Sequence, residues 1–283
     1  MSVSEENQTT AGAGVETGPD KAFLDIKADI DKVRAAYSEQ EQQSSYKALV
    51  YGGIGSGKTQ LIRTARRPIL VDSFDPGGTK TNRDQIDAGW IIADTRFEME
   101  DPKNPSVALL WDKVFHQRKR QGLFPHLGTY VIDSITTLTM CVTGEYLKAQ
   151  KRIGGFLYQQ DYNPIMATIE NAIREVLTLP CDVLIIAHDE VEKDEPTGRM
   201  YTGPQFIGKS LRGRLPLLFD EVYYMVPEFK ATGPEYRILT KNTGAVRART
   251  RIGKDGRFAT YETPDIKALL KKAGLPTEDK PML

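Results

Sequence analysis

The stretch Ala48-Leu-Val-Tyr-Gly52-Gly53-Ile54-Gly55-Ser56-Gly57-Lys58-Thr59-Gln60-Leu-Ile62 sets the reading of the whole chain. Ala48 to Tyr51 are apolar enough for a buried strand, a glycine-rich turn follows, and a helix opens at Lys58. Gly52, Gly57, Lys58 and Thr59 satisfy G-x-x-x-x-G-K-[ST], the phosphate-loop pattern. Glycines let the backbone curl until successive N–H groups point inward at phosphate oxygens, and the helix N-terminus adds a partial positive charge. The pattern implies a nucleoside triphosphate cradled by Gly52 through Gln60. Lys58 would reach its β- and γ-phosphates, and the Thr59 hydroxyl would hold Mg²⁺. A glycine turn that binds nothing is a poor alternative for a full match flanked by a strand and a helix.

Outward from the loop, further apolar runs alternate with helical spacing. Arg67 to Asp72, Gly89 to Asp94, Thr129 to Asp133 and Asp182 to His188 read as strands. Ser106 to Arg120 and Ile165 to Leu179 read as helices. Such alternation predicts an α/β fold, mainly a parallel sheet between helices, with ligands at the carboxyl ends of the strands. Asp72, Asp75, Asp94, Asp133 and His188 all end apolar runs and are expected along that edge with the glycine loop. Three closely spaced runs, Glu221–Val226, Tyr236–Lys241 and Ala245–Thr250, predict an antiparallel C-terminal extension. The expected organisation is a disordered tail (1–19), an amphipathic helix (20–44), the core (45–260), and a C-terminal helix and tail (261–283).

Lysine plus arginine equals aspartate plus glutamate at 38 each, so no overall charge field announces a nucleic-acid or membrane partner. Cys141 and Cys181 lack metal-ligand spacing and suit a reducing compartment as structural thiols. No run of about 18 apolar residues and no secretory leader pattern is present, so a cytoplasmic protein without membrane insertion is expected.

Asp133 caps Tyr-Val-Ile about 75 residues after the glycine loop, where a second Mg²⁺ ligand belongs. Tyr130-Val-Ile-Asp133-Ser134-Ile-Thr136 resembles the Walker B segment of RecA-type ATPases. The order of loop, Asp-Ser strand, long helix and strand ending in His188 is similar to that core. So are Gly208-Lys209, Phe219 to Met225, and Arg247-Ala-Arg249-Thr-Arg251. Together these segments, over roughly residues 46–258, resemble the small phage-encoded RecA-like ATPases, a group that includes Sak-type single-strand annealing proteins. The resemblance implies a RecA-like core using ATP and Mg²⁺, in the host-cell cytoplasm if phage-encoded. It also places His188 where such cores sense the γ-phosphate. Those cores carry a water-orienting glutamate just beyond the second strand, and this chain has Phe74 there; Asp75 or Asp72 is left as the substitute base. A shorter side chain at that place implies weak intrinsic hydrolysis.

Two basic sets lie outside the nucleotide site. Lys148, Lys151 and Arg152 precede Phe156 and Tyr158, the mixture of cations and aromatics used by single-strand binders. Arg199, Tyr201, Lys209, Arg212 and Arg214 follow His188, and Lys209 to Arg257 holds eleven basic against five acidic residues. A solvated charged face explains such runs equally well. The resemblance implies single-stranded DNA at both loops, and Arg247 or Arg249 reaching a neighbour's nucleotide in a ring or filament. Phosphate contact or a plain surface strand are the competing roles for these arginines. The expected function is a DNA-dependent ATPase of phage recombination or replication, promoting annealing or strand exchange, with a single-strand binding protein as a candidate partner. The alternatives are a small-molecule or nucleotide kinase and a nucleotide-dependent assembly switch without productive hydrolysis. Glu190, Glu192, Asp194 and Glu195 beside transferred phosphates argue against the kinase.

Overall fold

The computed structural model describes residues 19–42, 45–193, 195, 197–231 and 233–282. The disordered tail expected over residues 1–19 lies, Pro19 apart, outside the described residues. The chain divides into two units, residues 1–44 and 45–283. In the first, helical spacing is realised as α1 (Pro19–Gln42), on which Ile26, Ile30 and Val33 are exposed.

In the second unit the predicted runs become β1 (Lys47–Gly52), β2 (Ile69–Ser73), β3 (Ile91–Asp94), β4 (Thr129–Asp133) and β5 (Asp182–Lys193). They lie parallel in the spatial order β1-β5-β4-β2-β3. α2 (Lys58–Leu61) follows the glycine loop, and α3 (Arg83–Asp87) leads into β3. Side chains alternate across the sheet with period two. Leu49, Tyr51, Tyr130, Ile132 and Ile185 enter the layer beneath α4 (Val107–Arg120), α5 (Ile135–Ala149) and α6 (Tyr162–Leu177). Ala48, Val50, Val131, Leu184 and Ile186 enter the opposite layer with Ile62. Both faces are covered, which is why the strands read as nearly continuous apolar runs.

The structure departs from the sequence reading beyond His188. β5 continues to Lys193 and turns back as β6 (Met200–Pro204), antiparallel to it. After α7 (Lys209–Arg214) the chain returns to the start of β1, where Asp220 N donates to Lys47 O. β7 (Glu221–Lys230) therefore runs parallel to β1, with Ala48 opposite Glu221, and is not the first strand of an antiparallel extension. That extension begins with β8 (Gly233–Leu239), paired to β7. It also includes the two-residue strands β9 (Arg249–Thr250) and β10 (Tyr261–Glu262). α8 (Ile266–Ala273) is capped by the Asp265 carboxylate and by Gly274 at φ 76°, and it buries Leu269 and Leu270 in the second layer. Both cysteines are free and buried, and burial pushes each thiol up to about 12, as structural thiols require. Among the described residues no helix is long and apolar enough to cross a membrane.

One buried ion cluster ties α4 to the sheet. Asp72 is fully buried and accepts Arg118 Nη1 at 2.7 Å, Trp111 Nε1 at 3.0 Å and the Tyr130 hydroxyl. The same guanidinium also donates to Asp94. Arg118→Met would leave the Asp72 carboxylate buried without its counter-charge, while Asp94 keeps its pair with Arg96. It is expected to lower stability by about 3–5 kcal/mol, read as a fall in the urea midpoint. Lys230→Ala, which breaks the exposed pair with Glu235, is expected to cost under ~1 kcal/mol in the same assay.

Candidate functional site

The glycine loop between β1 and α2 needs its glycines for space and for dihedral angle. A Cβ at Gly52 would lie 2.8 Å from Ser56 Oγ and 3.0 Å from Met225 O. Gly57 sits at φ +87°, a left-handed conformation that side chains disfavour. Lys58 is buried and folded onto the loop, with Nζ donating to Gly52 O at 2.7 Å and Gly53 O at 2.8 Å. Burial lowers its pKa, against the opposing carboxylates of Asp133, Asp189 and Asp75. Ser56 Oγ is buried with no hydrogen-bond partner, an orphan polar atom inside the loop.

Parallel pairing brings the second half of the site to this loop. Thr59 Oγ1 donates to Asp133 Oδ2 at 2.9 Å across 74 residues of sequence. Burial, then the nearby Asp75 carboxylate, push Asp133 up to about 6, while Thr59, Lys58 and His188 pull the other way. Asn82 braces the same corner: its Nδ2 donates to Thr59 O at 2.7 Å and its Oδ1 accepts Arg63 Nε at 3.1 Å. His188 is in register with Gly52, and its backbone N–H is held by Thr136 Oγ1 at 3.0 Å. His188 Nε2 stands 3.4 Å from Asp75 Oδ2.

These residues fit a triphosphate with its metal. The orphan Ser56 hydroxyl, the lysine and the loop amides suit phosphate oxygens. Thr59 and Asp133 supply the two hard oxygen donors that Mg²⁺ takes from protein, its remaining positions falling to phosphate and water. Among the described residues no cluster of three metal-ligating side chains occurs, and this mode of binding does not call for one. When bound, Mg²⁺ would neutralise charge on the β- and γ-phosphates.

The other sequence candidates divide. Asp72, one of the two substitute bases, belongs to the Arg118 cluster in the core, and Phe74 is buried against Phe97. Lys148 donates to Pro105 O. Arg152 pairs with Asp161 and stacks on the Tyr158 ring, so it is not a free cation. Arg212 is held by Glu190, Glu192 and Phe206 O. Arg199 is exposed, Lys209 pairs loosely with Glu195, and Arg214 with Glu170. Lys151 and Phe156 are exposed.

The three alternating arginines do not share a face. Arg247 packs on Tyr201 and pairs with Glu192, whereas Arg249 and Arg251 turn to the Leu217 region. Arg249 Nη2 donates to Pro216 O and Phe219 O within its own chain. Chain direction is the reason: residue 246 bridges to β6, while Arg249 joins β7. Sequence reasoning missed Asp189, 3.8 Å from a Cβ built on Gly53, although its place directly after His188 was a usable signal. It also missed Glu98, which accepts Ser73 Oγ and Gly77 N and steadies the Asp75 loop; nothing local marks that residue.

A glycine loop on β1, a lysine and threonine opening α2, and an aspartate ending β4 define a P-loop nucleotide-binding protein. A family model described as an AAA domain matches residues 44–252, and the chain belongs to that family of P-loop ATPases. Similar solved structures include a KaiC-like protein from the hyperthermophilic archaeon Pyrococcus horikoshii OT3. It has 11% identity and a TM-score of 0.37, with 68% of this chain and 76% of that one covered. The flagellar accessory protein FlaH from Methanocaldococcus jannaschii has 10% identity and a TM-score of 0.43, with 79% and 88% covered. Comparison with curated proteins yields no match.

The Asp133 carboxyl has a folded pKa of about 6 against an ordinary 3.8, so it contributes stability that is complete below about pH 4 and lost as pH rises through 6. Asp133→Asn cannot ionise. It is expected to stabilise the nucleotide-free protein at pH 7 by on the order of 2 kcal/mol, with the difference vanishing near pH 4. Urea unfolding at the two pH values measures it.

Proposed function

We propose that the chain binds Mg·ATP at the β1–α2 loop, hydrolyses it slowly, and couples that cycle to single-stranded DNA. The observation that carries the first part is the Thr59–Asp133 hydrogen bond, which joins the loop to the far strand in the pairing a metal-bound triphosphate needs. The DNA reading is supported by a cleft of about 680 Å³ between the first turn of α6 and the start of α7. Gln159, Tyr162 and Asn163 line one wall, and Gly208, Lys209 and Arg212 the other. Lys209 and Arg212 of the second basic set line this groove with the Tyr162 ring, and Phe156, exposed three residues before Gln159, is a candidate for base stacking. A neighbouring pocket shares Tyr162, Gly208 and Arg212 with this groove and is lined by Thr136 and Gln205. Gln205 N donates to His188 O, and its carbonyl accepts Thr136 Oγ1.

On this reading the chain acts in recombination or replication by annealing or exchanging strands, as a homo-oligomer in which Arg247 or Arg249 would exchange its intrachain contacts for a neighbour's nucleotide. Glu190 and Glu192 restrain Arg212 in the same wall, which disfavours a kinase lid closing over transferred phosphate.

Phosphate release is measured with and without single-stranded DNA. Stimulation by DNA, reduced ~100-fold or more in Lys58→Ala, is expected. Absence of both stimulation and DNA retention would remove the DNA reading and leave a nucleotide switch or kinase to be screened. Lys209→Ala combined with Arg214→Ala is expected to leave ATP affinity unchanged. The log–log salt slope of DNA binding should flatten by about 1.4, roughly 0.7 per lost phosphate contact on a single strand.

A further inference from the structure

We infer that His188 is the general base for hydrolysis and that Asp75 is the residue that positions and charge-balances its ring. The inference rests on the ATPase reading and assigns the proton transfer within it. β5 lies between β1 and β4, so His188 stands beside Gly52 on one side and near the end of the Asp133 strand on the other. Its side chain is one-third exposed (33%), which leaves room for a water. Nε2 faces Asp75, and Nδ1 has no partner among the described residues. With the ring proton on Nε2 toward Asp75, Nδ1 is left as the proton-accepting nitrogen, on a residue in register with Gly52.

Asp75 itself is poorly placed to be the base. Oδ1 accepts Ser134 Oγ at 3.0 Å and also the Thr137 hydroxyl, and Oδ2 faces His188. A carboxylate with three donors on two oxygens has little capacity left for a water proton. Burial works to raise its pKa, but the His188, Thr137 and Ser134 contacts outweigh it and leave the group below the ordinary carboxylate range. The other carboxylates nearby are committed as well. Asp133 accepts Thr59, Asp72 lies in the core cluster, Glu98 accepts Ser73 and Gly77, and Asp189 accepts the Tyr224 hydroxyl at 3.3 Å.

The step balances with water and ATP alone. Water oxygen forms a bond to the γ-phosphorus while one water proton passes to His188 Nδ1. The bond from γ-phosphorus to the bridging oxygen breaks, and its electron pair leaves on ADP. The imidazolium that forms faces Asp75, with Asp133 and Asp189 as further negative groups and Lys58 as the positive one around the site. The proton is then released to solvent through the exposed face. This arrangement, a base oriented by a carboxylate on its other ring nitrogen, follows the general logic of an acid–base dyad.

The test uses the full chain, with single-turnover hydrolysis and ATP affinity measured separately. His188→Gln is expected to lower the rate ~100-fold or more with ATP affinity within about twofold. Asp75→Asn should lower the rate ~10-fold or more, also at constant affinity, and add less than about twofold in the His188→Gln background, because the two act as a unit. Added imidazole should restore part of the rate to His188→Ala but none to Lys58→Ala, a readout that a merely structural histidine would not produce. A rate in His188→Gln within threefold of wild type, with Asp75→Asn inactive, would make Asp75 the base and overturn the assignment. A wild-type chain that binds ATP and releases no phosphate under any condition would instead overturn the hydrolysis reading, and the dyad with it.

Discussion

The carboxylate of Asp182, fully buried at the start of β5, accepts the backbone amide of Tyr46 at 2.9 Å and Arg66 Nε at 2.6 Å. It thereby locks the first residue of β5 against the entrance to β1. Lys47 adds to the lock from the other side through the carbonyls of Leu179 and Cys181. A shift of one residue in a parallel strand would turn every side chain to the opposite layer. With the start of β5 held, Val183 pairs with Lys47 and, five residues on, His188 must stand opposite Gly52. The same strand pairs with β4 and so carries Asp133 to the same edge. The active edge is in this sense positioned from the opposite end of the sheet.

That edge concentrates charge of one sign. Asp75, Asp133 and Asp189 all act on Lys58 from within the site. Before a nucleotide arrives, Lys58 answers by capping loop carbonyls and Asp133 by a raised pKa. The free protein therefore holds a buried carboxylate at neutral pH without a full counter-charge, an arrangement that costs stability and suits a site made for a cation with its phosphates. Two other buried aspartates each have an arginine against them, Asp72 with Arg118 and Asp182 with Arg66. The contrast between compensated and uncompensated acids separates the structural aspartates at strand ends from the functional one.

Particular residues show how much of this was readable in advance. Gly52 to Thr59 was readable because its conformation is local: the glycines that permit the turn and the residues that use it lie within eight positions. Asp133 was readable because it ends an apolar strand at a spacing that leaves room for two intervening strands. The hairpin beyond His188 was not, since Asp189-Glu-Val-Glu-Lys193 has a loop's composition and is a strand only because β6 pairs with it. One of its glutamates, Glu192, then pairs with both Arg212 and Arg247, contacts that no local pattern announces. Arg152 is likewise claimed by Asp161, which sequence could not connect to it.

The sequence by itself determined the class of fold, the strand that carries the phosphate loop and the identity of the residues that form that loop, because period-two burial and turn chemistry are properties of neighbouring residues. Only the tertiary structure decided that β7 joins the sheet in parallel, that Asp72 is a core ion while Asp75 turns to His188, and which basic side chains stay free. Those outcomes depend on hydrogen bonds and ion pairs between segments tens to hundreds of residues apart, and no local pattern states which of several like-charged candidates will reach a given partner first.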